Sequence, residues 1–439
     1  MKNNPHYLIL IIPFLLLQSC KANQESNNVI TSDITNFWKA YDQIQTVEDA
    51  VSKLRILDSL YFSKGTIGLK AIREVRNYTP QDYLKSIDDY PKFWASIREN
   101  TLEANKIEQE LEGGIEKLRQ FYPDLKPAKI YFTIGAFRTG GTVLDSLVLI
   151  GSEISMADST TVTEEFPEAL SHLISHFKTN PNKHLMFLNI HEYIHTQQKP
   201  IVYNILSQSI REGVAEFIPT VVLEQATPNP QIEFGKQHAN RIREVFEKEM
   251  FYANNMGKWL NSNATNEFGM RDLAYYVGYQ MCENYYNRAS DKKAAIKKMI
   301  ELDYNNEAEI EEFVAQTNYF SSTLDSLYQT FENKRPQVIS IAQFENGSQN
   351  VNPSIQEITF KFSEPLATNT GIDYGELGEE AFPKKTFPGR YWSSDKQSWT
   401  IPVTMEADKR YQFLITNNFR TPEGIPLRAY LVDFKTRKE

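Results

Sequence analysis

The chain has 439 residues, of which 41% are hydrophobic and 23% charged, and its formal net charge is −9. The length allows two or three domains, and the composition is typical of a soluble globular protein, which excludes collagen-like, globally disordered and multi-span membrane proteins. The acidic balance argues against a nucleic-acid partner, because binding to phosphates requires a basic surface. With only two cysteines, Cys20 and Cys282, a disulfide-based scaffold is excluded as well.

The beginning of the chain has the pattern of an export signal. Lys2 precedes an apolar run at 8–17 (LILIIPFLLL), which is too short to span a bilayer, because a spanning helix needs about twenty apolar residues. The run leads into 17–20 (LQSC), which resembles a bacterial lipobox, where the leader is cut before a cysteine that carries the lipid. We therefore expect a signal peptide at 1–19 and a lipid anchor on Cys20.

The segment after the leader is predicted to be a tether. Residues 20–32 are mostly polar and low in aromatic side chains, as flexible linkers are. The pattern predicts a lipoprotein held by its lipid at the bacterial cell envelope, with the outer membrane favoured, and facing the periplasm or the cell exterior. The alternative is an ordinary secretory leader in which Cys20 stands by chance.

Hydrophobic periodicity divides the rest of the chain into segments of different structure. Helical spacing of apolar residues predicts helices over 33–122 and again over 183–331. Between them, 129–135 (KIYFTIG) is rich in β-branched and aromatic residues, and 142–151 (TVLDSLVLIG) alternates, which predicts two strands. From 336 onward, short alternating runs separated by proline and glycine predict antiparallel β structure.

These segments predict an α+β protein with two domains. A mainly helical domain with a small sheet is expected over 33–335, followed by an antiparallel β-sandwich over 336–439. One of the runs that favour the sandwich is the alternation of Ile358, Phe360 and Phe362 with polar neighbours.

An HExxH motif is the strongest indication of chemistry. It consists of His191, Glu192 and His195. Side chains at i and i+4 of a helix point the same way, so both imidazoles can reach one Zn²⁺, and Glu192 beside them can act as general base for water. A catalytic zinc needs a third protein ligand, but Gln198 and Ile201 stand where the metzincin pattern HExxHxxGxxH requires glycine and histidine. The alternative is a surface helix with an accidental histidine pair.

A second helix downstream supplies candidates for the third ligand. Residues 210–217 (IREGVAEF) follow far enough after His195 for the chain to turn and run back, and Glu212 and Glu216 share one helical face. The arrangement resembles the gluzincin metalloproteases, whose second helix carries a Glu ligand, often in an E-G-x-A setting. The resemblance implies that Glu212 is the third ligand and that Glu216 orients a histidine ligand. Two alternatives stay open: Glu216 is the ligand, or both carboxylates lie on a solvated helix face.

A longer stretch of the chain resembles a narrower family. Residues 131–156, the HExxH helix, the EGVAEF helix and 274–286 (AYYVGYQMCENYY) occur in that order. This succession is similar to a bacterial family of predicted zinc-dependent proteases of unknown function, with lipoprotein members in Bacteroidetes. The resemblance covers roughly 80–330, and it implies zinc as the cofactor but no particular substrate.

A tyrosine on a later helix is the candidate for stabilising the oxyanion of the reaction. A hydrogen-bond donor is required there, because negative charge develops on the substrate oxygen. In aminopeptidase-N-like enzymes, a tyrosine three residues before a glycine supplies this hydrogen bond. Tyr275 precedes Gly278 by the same distance. The neighbours Tyr276 and Tyr279 are alternative donors, and packing in the core is the alternative for all three.

The last hundred residues resemble the bacterial Ig-like domains of surface proteins. The resemblance rests on 351–366 (VNPSIQEITFKFSEPL), 398–416 (SWTIPVTMEADKRYQFLIT) and 421–427 (TPEGIPL). Such domains act as spacers or docking modules, which implies that this one could dock a surface partner. Tyr391-Trp392 is a candidate for such a contact, and packing in the core is the alternative.

Together these features favour an exported, lipid-anchored zinc metallopeptidase, a hydrolase that acts on peptide or protein substrates. An alternative of a different class is a surface binding or assembly lipoprotein whose metal site is structural or vestigial. Glu192 favours the enzyme, because a purely structural zinc site has no use for a general base. Hydrolysis of a non-peptide amide is a third alternative.

Overall fold

The structure is a computed structural model that describes residues 28–200, 204–260 and 266–438. The expected signal peptide and the lipid anchor on Cys20 lie outside the described residues. Within the described ranges, no helix is both long enough and apolar enough to cross a membrane.

The chain divides into two compact units, and each of them contains both helices and strands. The first consists of the described residues up to 112 together with 127–177, and the second of 113–126 together with 178–438. The division falls within one helix, Glu108–Phe121. The mixture of helices and strands agrees with the predicted α+β class.

The first unit contains a four-stranded mixed sheet that is contacted by helices. Its elements in chain order are β1 (Val29–Ile30), α1 (Ser32–Ile44), α2 (Ala50–Leu57), α3 (Ile67–Val75), α4 (Pro80–Asp89), α5 (Pro91–Leu102), the start of α6 (Glu108–Phe121), β2 (Lys129–Thr133), β3 (Gly141–Leu144), β4 (Leu147–Gly151), α7 (Ser152–Ser155) and α8 (Ser171–Phe177). The sheet order is β1-β2-β4-β3, in which β2 runs parallel to both of its neighbours and β3 pairs antiparallel with β4.

The prediction of a single strand at 142–151 is wrong, because the segment folds back on itself as a hairpin. Strand β3 ends before a two-residue turn at Asp145-Ser146, and β4 begins after it. Asp145 has a φ of 51°, a left-handed conformation that aspartate tolerates and that tight two-residue hairpin turns require. As a result, β3 is an edge strand and β4 an internal one.

A buried glutamate holds the loop that follows β2. Glu153 has no exposed surface, and its two carboxylate oxygens accept hydrogen bonds from the backbone N–H groups of Gly135 at 2.8 Å and Phe137 at 3.1 Å. Burial raises the pKa of this carboxyl to about 7, because the two hydrogen bonds offset only part of the lost hydration. Glu153 is therefore a titratable group inside the first unit.

The second unit contains the remaining helices, followed by seven strands. Its elements are the end of α6, α9 (Leu185–His195), α10 (Ile205–Val222), α11 (Pro230–Gln237), α12 (Ala239–Glu249), α13 (Met256–Trp259), α14 (Ala274–Arg288), α15 (Lys292–Glu301), α16 (Glu307–Thr317), α17 (Leu324–Lys334), β5 (Val338–Ile341), β6 (Glu357–Phe362), β7 (Ile372–Tyr374), β8 (Tyr391–Trp392), β9 (Ser398–Pro402), β10 (Arg410–Ile415) and β11 (Tyr430–Lys435).

Local sequence signals explain where some of these helices begin. The hydroxyl of Thr79 accepts a hydrogen bond from the N–H of Asp82 and caps α4, whose first residue is Pro80. Helix α10, which carries the two candidate glutamates, is capped by Asn204, whose side chain accepts a bond from the N–H of Ser207 at 2.7 Å.

The strands at the end of the chain form two antiparallel sheets that share one hydrophobic core. Their orders are β5-β6-β9-β8 and β11-β10-β7. Phe360 of β6, Ile401 of β9, Phe413 of β10 and Phe434 of β11 are all buried in the core between them. The prediction of antiparallel β structure in this part of the chain is therefore confirmed, and the alternating run of Ile358, Phe360 and Phe362 lies in β6.

Candidate metal centre

Helix α9 carries the HExxH motif at its C-terminal end. Its apolar side chains, among them Phe187, Ile190 and Ile194, are buried, which places the helix inside the second unit. His191 and His195 lie one turn apart on this helix, with their ring centroids separated by 4.8 Å. The helical spacing thus brings both imidazoles to the same side, as the sequence predicted.

Three side chains from α9 and α10 converge. The Nε2 atom of His195 lies 3.1 Å from Nε2 of His191 and 3.1 Å from Oε2 of Glu212. The same carboxylate oxygen lies 3.6 Å from Nε2 of His191. All three residues are buried, and this group could hold a metal ion.

The donor atoms fit a tetrahedral ion in both chemistry and spacing. Two imidazole nitrogens and one carboxylate oxygen are typical ligands of a transition metal. Ligand atoms at about 2.1 Å from a tetrahedral ion lie about 3.4 Å from one another. The separations between donor atoms of His191, His195 and Glu212 lie close to that value.

Glu216 lies on the other side of the His191 ring. Its Oε2 is 3.3 Å from Nδ1 of His191, whereas Glu212 faces the Nε2 atom. Glu216 is fully buried, and it also accepts hydrogen bonds from the amide of Asn229 at 2.7 Å and from the hydroxyl of Thr227. The structure therefore places Glu212 among the converging donor atoms and Glu216 behind one of the histidines.

The opposite charges of His191 and Glu212 stabilise each other inside the second unit. Burial would lower the pKa of His191, but hydrogen bonds with Glu212 and Glu216 outweigh it and raise this pKa to about 10. Burial would raise the pKa of Glu212, but the charges of both histidines outweigh it and hold this pKa well below its usual range. Metal binding at this group must therefore displace a proton from an imidazole.

Helices α10 and α14 approach each other so closely that two glycines are required. A Cβ atom on Gly213 would lie 2.0 Å from the carbonyl carbon of Gly278, and one on Gly278 would lie 1.7 Å from the carbonyl oxygen of Ser209. This contact sets Tyr275, one helical turn before Gly278, beside Glu212, the residue before Gly213.

Tyr275 is the tyrosine of its helix that meets the candidate site. Its ring stacks against that of His191, with centroids 6.2 Å apart and an angle of 15° between the planes. Burial, followed by the negative charge of Glu212, raises the pKa of this phenol well above its ordinary value, so it keeps its proton.

The two neighbouring tyrosines have other partners. The ring of Tyr276 lies against Gly235 of α11, where a Cβ atom would have no room. Tyr279 donates a hydrogen bond to Glu283 at 3.3 Å, and its ring packs against that of Phe217. Neither contact involves the His191, His195 and Glu212 group.

Glu192 is a buried acid beside the converging ligands. Its side chain makes no hydrogen bond or ion pair with any of the described residues, although the residue is only 7% exposed. Its negative charge acts on both His191 and Tyr275, since it raises the pKa of each. A carboxylate in this position can accept a proton next to a bound ion.

Sequence reasoning missed several side chains that hold the ligands. Gln198 contacts Nδ1 of His195, and the guanidinium of Arg211 donates to Oε1 of Glu212 at 3.3 Å. The position of Gln198 three residues after His195 could have indicated the first contact, because such residues share a helical face. Thr227 and Asn229 follow the end of α10, and no local pattern connects them with Glu216.

The surroundings of Cys282 and of the pair Tyr391-Trp392 are also described by the structure. Cys282 is a free thiol that is fully buried in α14, and burial raises its pKa far above the ordinary range.

Trp392 packs against Phe362 and Phe419 of the β core, while Tyr391 is half exposed and donates a hydrogen bond to Glu357 at 3.0 Å. Core packing thus accounts for Trp392, and a role of Tyr391 in docking stays a prediction.

Comparisons with known proteins do not assign the chain to a family. No family model matches it, and no curated protein matches it. A search of solved structures found similarity to the crystal structure of the S-layer protein rSbsC(31-844), with 12% sequence identity and a TM-score of 0.18. The alignment covers 65% of this chain and 44% of that one, so the chain spans less than half of that protein. So low a score supports no statement about fold or function.

Proposed function

We propose that the chain is a zinc-dependent peptidase, a hydrolase that cleaves peptide or protein substrates. One observation carries the proposal: His191, His195 and Glu212 meet beside Glu192, a buried acid without a hydrogen-bond partner among the described residues. Its carboxylate oxygens are not among the fully buried polar atoms, so water can reach them beside the ligands. Its place beside the ligands is accounted for by a role as a base, which a structural or vestigial metal site would not need.

Zinc is the metal that the donor set favours. Catalytic zinc sites use three protein ligands of this kind and leave a fourth position for water or substrate. Magnesium and calcium prefer sites made of oxygen ligands alone, which two imidazoles do not provide. His191, His195 and Glu212 are therefore proposed as the zinc ligands.

Each side chain around the ligands has a task that follows from its position. A zinc ion held there would polarise a substrate carbonyl and lower the pKa of water. Glu192 accepts the proton of the attacking water and passes it to the leaving amine. Tyr275, protonated because its pKa is raised, donates a hydrogen bond to the developing oxyanion. Glu216 holds His191 through Nδ1, so that Nε2 faces the ligand position.

The proposal extends to the organisation and location of the chain. It includes a gluzincin-like peptidase domain over 33–335 and an Ig-like domain over 336–439 that docks a surface partner. It also includes export and a lipid anchor on Cys20 at the cell envelope, supported by the apolar run at 8–17 and the lipobox-like residues after it. Labelling of growing cells with radioactive palmitate tests the anchor, because a Cys20→Ala chain must then lose the label.

Replacement of Glu192 tests the catalytic role. The purified Glu192→Gln chain should keep its zinc, measured by mass spectrometry of the metal, and lose hydrolysis of denatured casein. Glu224→Gln, at an exposed position, is the matched control and should keep both. Equal activity of Glu192→Gln and the wild type would contradict the mechanism. A wild type that binds zinc but cleaves no peptide bond would favour the binding lipoprotein instead.

A further inference from the structure

Gln198 contacts the ring nitrogen of His195 that points away from Glu212. Its amide oxygen Oε1 lies 2.6 Å from Nδ1 of His195. Its amide nitrogen Nε2 donates two hydrogen bonds, one to the backbone carbonyl of Arg211 at 3.0 Å and one to the hydroxyl of Tyr304 at 2.9 Å. Every polar atom of this side chain therefore has a partner within the second unit.

These partners fix which way the amide faces. The carbonyl oxygen of Arg211 can only accept a hydrogen bond, so the NH₂ group of Gln198 must face it. The oxygen of Gln198 then faces His195 and can only accept, which requires that Nδ1 of His195 carries the hydrogen. Nε2 of His195, which lies 3.1 Å from Nε2 of His191 and from Oε2 of Glu212, is then the nitrogen that would give up its proton and offer its lone pair to a metal.

We propose that Gln198 is a positioning residue that sets the tautomer and the ring orientation of His195 and so raises the affinity of the site for zinc. The inference rests on the proposed function, since it concerns the same metal site. Gln198 contacts no ligand position itself and acts through the imidazole of His195. The two histidines differ in this respect: Nδ1 of His191 faces the charged carboxylate of Glu216, whereas Nδ1 of His195 faces a neutral amide.

The two residues that accept hydrogen bonds from Gln198, Tyr304 and Arg211, are themselves held by further contacts. Tyr304 is almost fully buried, and its backbone carbonyl accepts a hydrogen bond from the hydroxyl of Ser207 in α10. Arg211 lies on the same helix, and its guanidinium donates to Oε1 of Glu212. Arg211 thus contacts the third ligand with its side chain and Gln198 with its backbone, which couples the orientations of His195 and Glu212.

The neighbouring glutamine offers a matched control. Gln197 is also buried, and it accepts a hydrogen bond from the N–H of Lys126 at 2.8 Å and donates one to the carbonyl of the same residue at 3.2 Å. Among the described residues, no hydrogen bond joins its side chain to His191 or His195. Replacing Gln197 therefore removes a buried glutamine of the same segment without changing the hydrogen bond at Nδ1 of His195.

The test compares Gln198→Met with Gln197→Met in the full chain. Methionine preserves the length of the side chain and removes the acceptor. Zinc affinity is measured by competition with a chromophoric chelator, and Gln198→Met should lower it by about 10- to 100-fold, whereas Gln197→Met should leave it unchanged. Equal affinity of Gln198→Met and the wild type, or an equal loss in both variants, would overturn the inference. A wild type that binds no zinc would instead contradict the proposed function.

A second measurement does not depend on the folding of a variant. In the zinc-loaded wild type, the Nδ1 hydrogen of His195 should give an NMR signal that is shifted downfield and protected from exchange with water. Burial and the 2.6 Å hydrogen bond to Gln198 are the reasons for this protection. A signal for this hydrogen that exchanges freely with solvent would overturn the inference.

Discussion

Gly213 of α10 and Gly278 of α14 touch through their backbones, with no room for a side chain on either residue. A Cβ atom on Gly213 would lie 2.0 Å from the carbonyl carbon of Gly278. The residue before Gly213 is Glu212, and Tyr275 lies one turn before Gly278, so this contact brings a proposed ligand and a proposed oxyanion donor together. A packing contact between two helices thereby determines the geometry of the candidate site.

Gly213→Ala should therefore damage both stability and the site. The added methyl group meets backbone atoms that cannot rotate away, so the two helices must separate. We expect a loss of about 3 kcal/mol in the free energy of unfolding, at the upper end for overpacked cores. Urea denaturation measures this loss, and zinc competition should show weaker binding in the same variant.

Gly113→Ala is the matched control for that substitution. Gly113 lies within α6, and a Cβ atom there would have no neighbour within 4 Å. The alanine should stabilise the chain by about 0.5–1 kcal/mol. The reason is that alanine loses less backbone entropy than glycine when the unfolded chain forms a helix. If Gly213→Ala were as stable as Gly113→Ala, the close contact of α10 and α14 would be contradicted.

Substitutions of the two glutamates on α10 should have different effects on metal binding. Glu212→Gln removes a charged ligand and should abolish stoichiometric zinc binding. Glu216→Gln changes only the acceptor behind His191, so we expect a fall in zinc affinity of about 10- to 100-fold. Chelator competition measures both, and the reverse order would identify Glu216 as the ligand.

Tyr275→Phe should lower the rate of hydrolysis and leave zinc binding nearly unchanged. Loss of one donor to a developing oxyanion costs about 100- to 1,000-fold in kcat. Tyr279→Phe is the control, because that hydroxyl donates to Glu283 and not to the site. The measurement is the steady-state rate on denatured casein, and similar rates for the two variants would exclude Tyr275 as the donor.

The buried carboxyl of Glu153 should make stability depend on pH. Burial raises its pKa from 4.5 to about 7. Between pH 4.5 and 7 the folded chain therefore holds a proton that the unfolded chain has released. The contribution of Glu153 to the free energy of unfolding is therefore complete below pH 4.5 and is lost as the pH rises through 7. The change is on the order of 3 kcal/mol.

Urea denaturation of the wild type and of Glu153→Gln from pH 4.5 to 8 measures this contribution. Because glutamine does not titrate, the difference in unfolding free energy between the two chains should move in favour of Glu153→Gln as the pH rises. A difference that stays constant over this range would show that Glu153 has an ordinary pKa.

The parts of the site that depend on helical spacing could be predicted from the sequence. The positions of His191 and His195 on one side of α9 follow from a spacing of four residues, and so does the placement of Glu212 and Glu216 on one face of α10. Which of the two glutamates faces the donor atoms was implied only by the resemblance to gluzincins. The strands of the final 100 residues were predictable for a similar reason, since alternation is a local property.

The remaining parts depend on contacts between distant segments. Tyr275, and not Tyr276 or Tyr279, lies against His191 because α10 and α14 approach each other closely. In the sequence, only Gly213 and Gly278 indicate this approach. Gln198 is oriented by Tyr304, more than a hundred residues away. The hairpin at Asp145 was missed because alternation continues through a two-residue turn.

The metal content of the purified chain decides whether His191, His195 and Glu212 form a metal site. After loading with zinc and removal of the excess, the wild type should hold one zinc ion per chain, and Glu212→Gln should hold none. Mass spectrometry of the metal gives this ratio without any assumption about the substrate. A folded wild-type chain that retains no zinc would contradict the account of His191, His195 and Glu212 as a metal site.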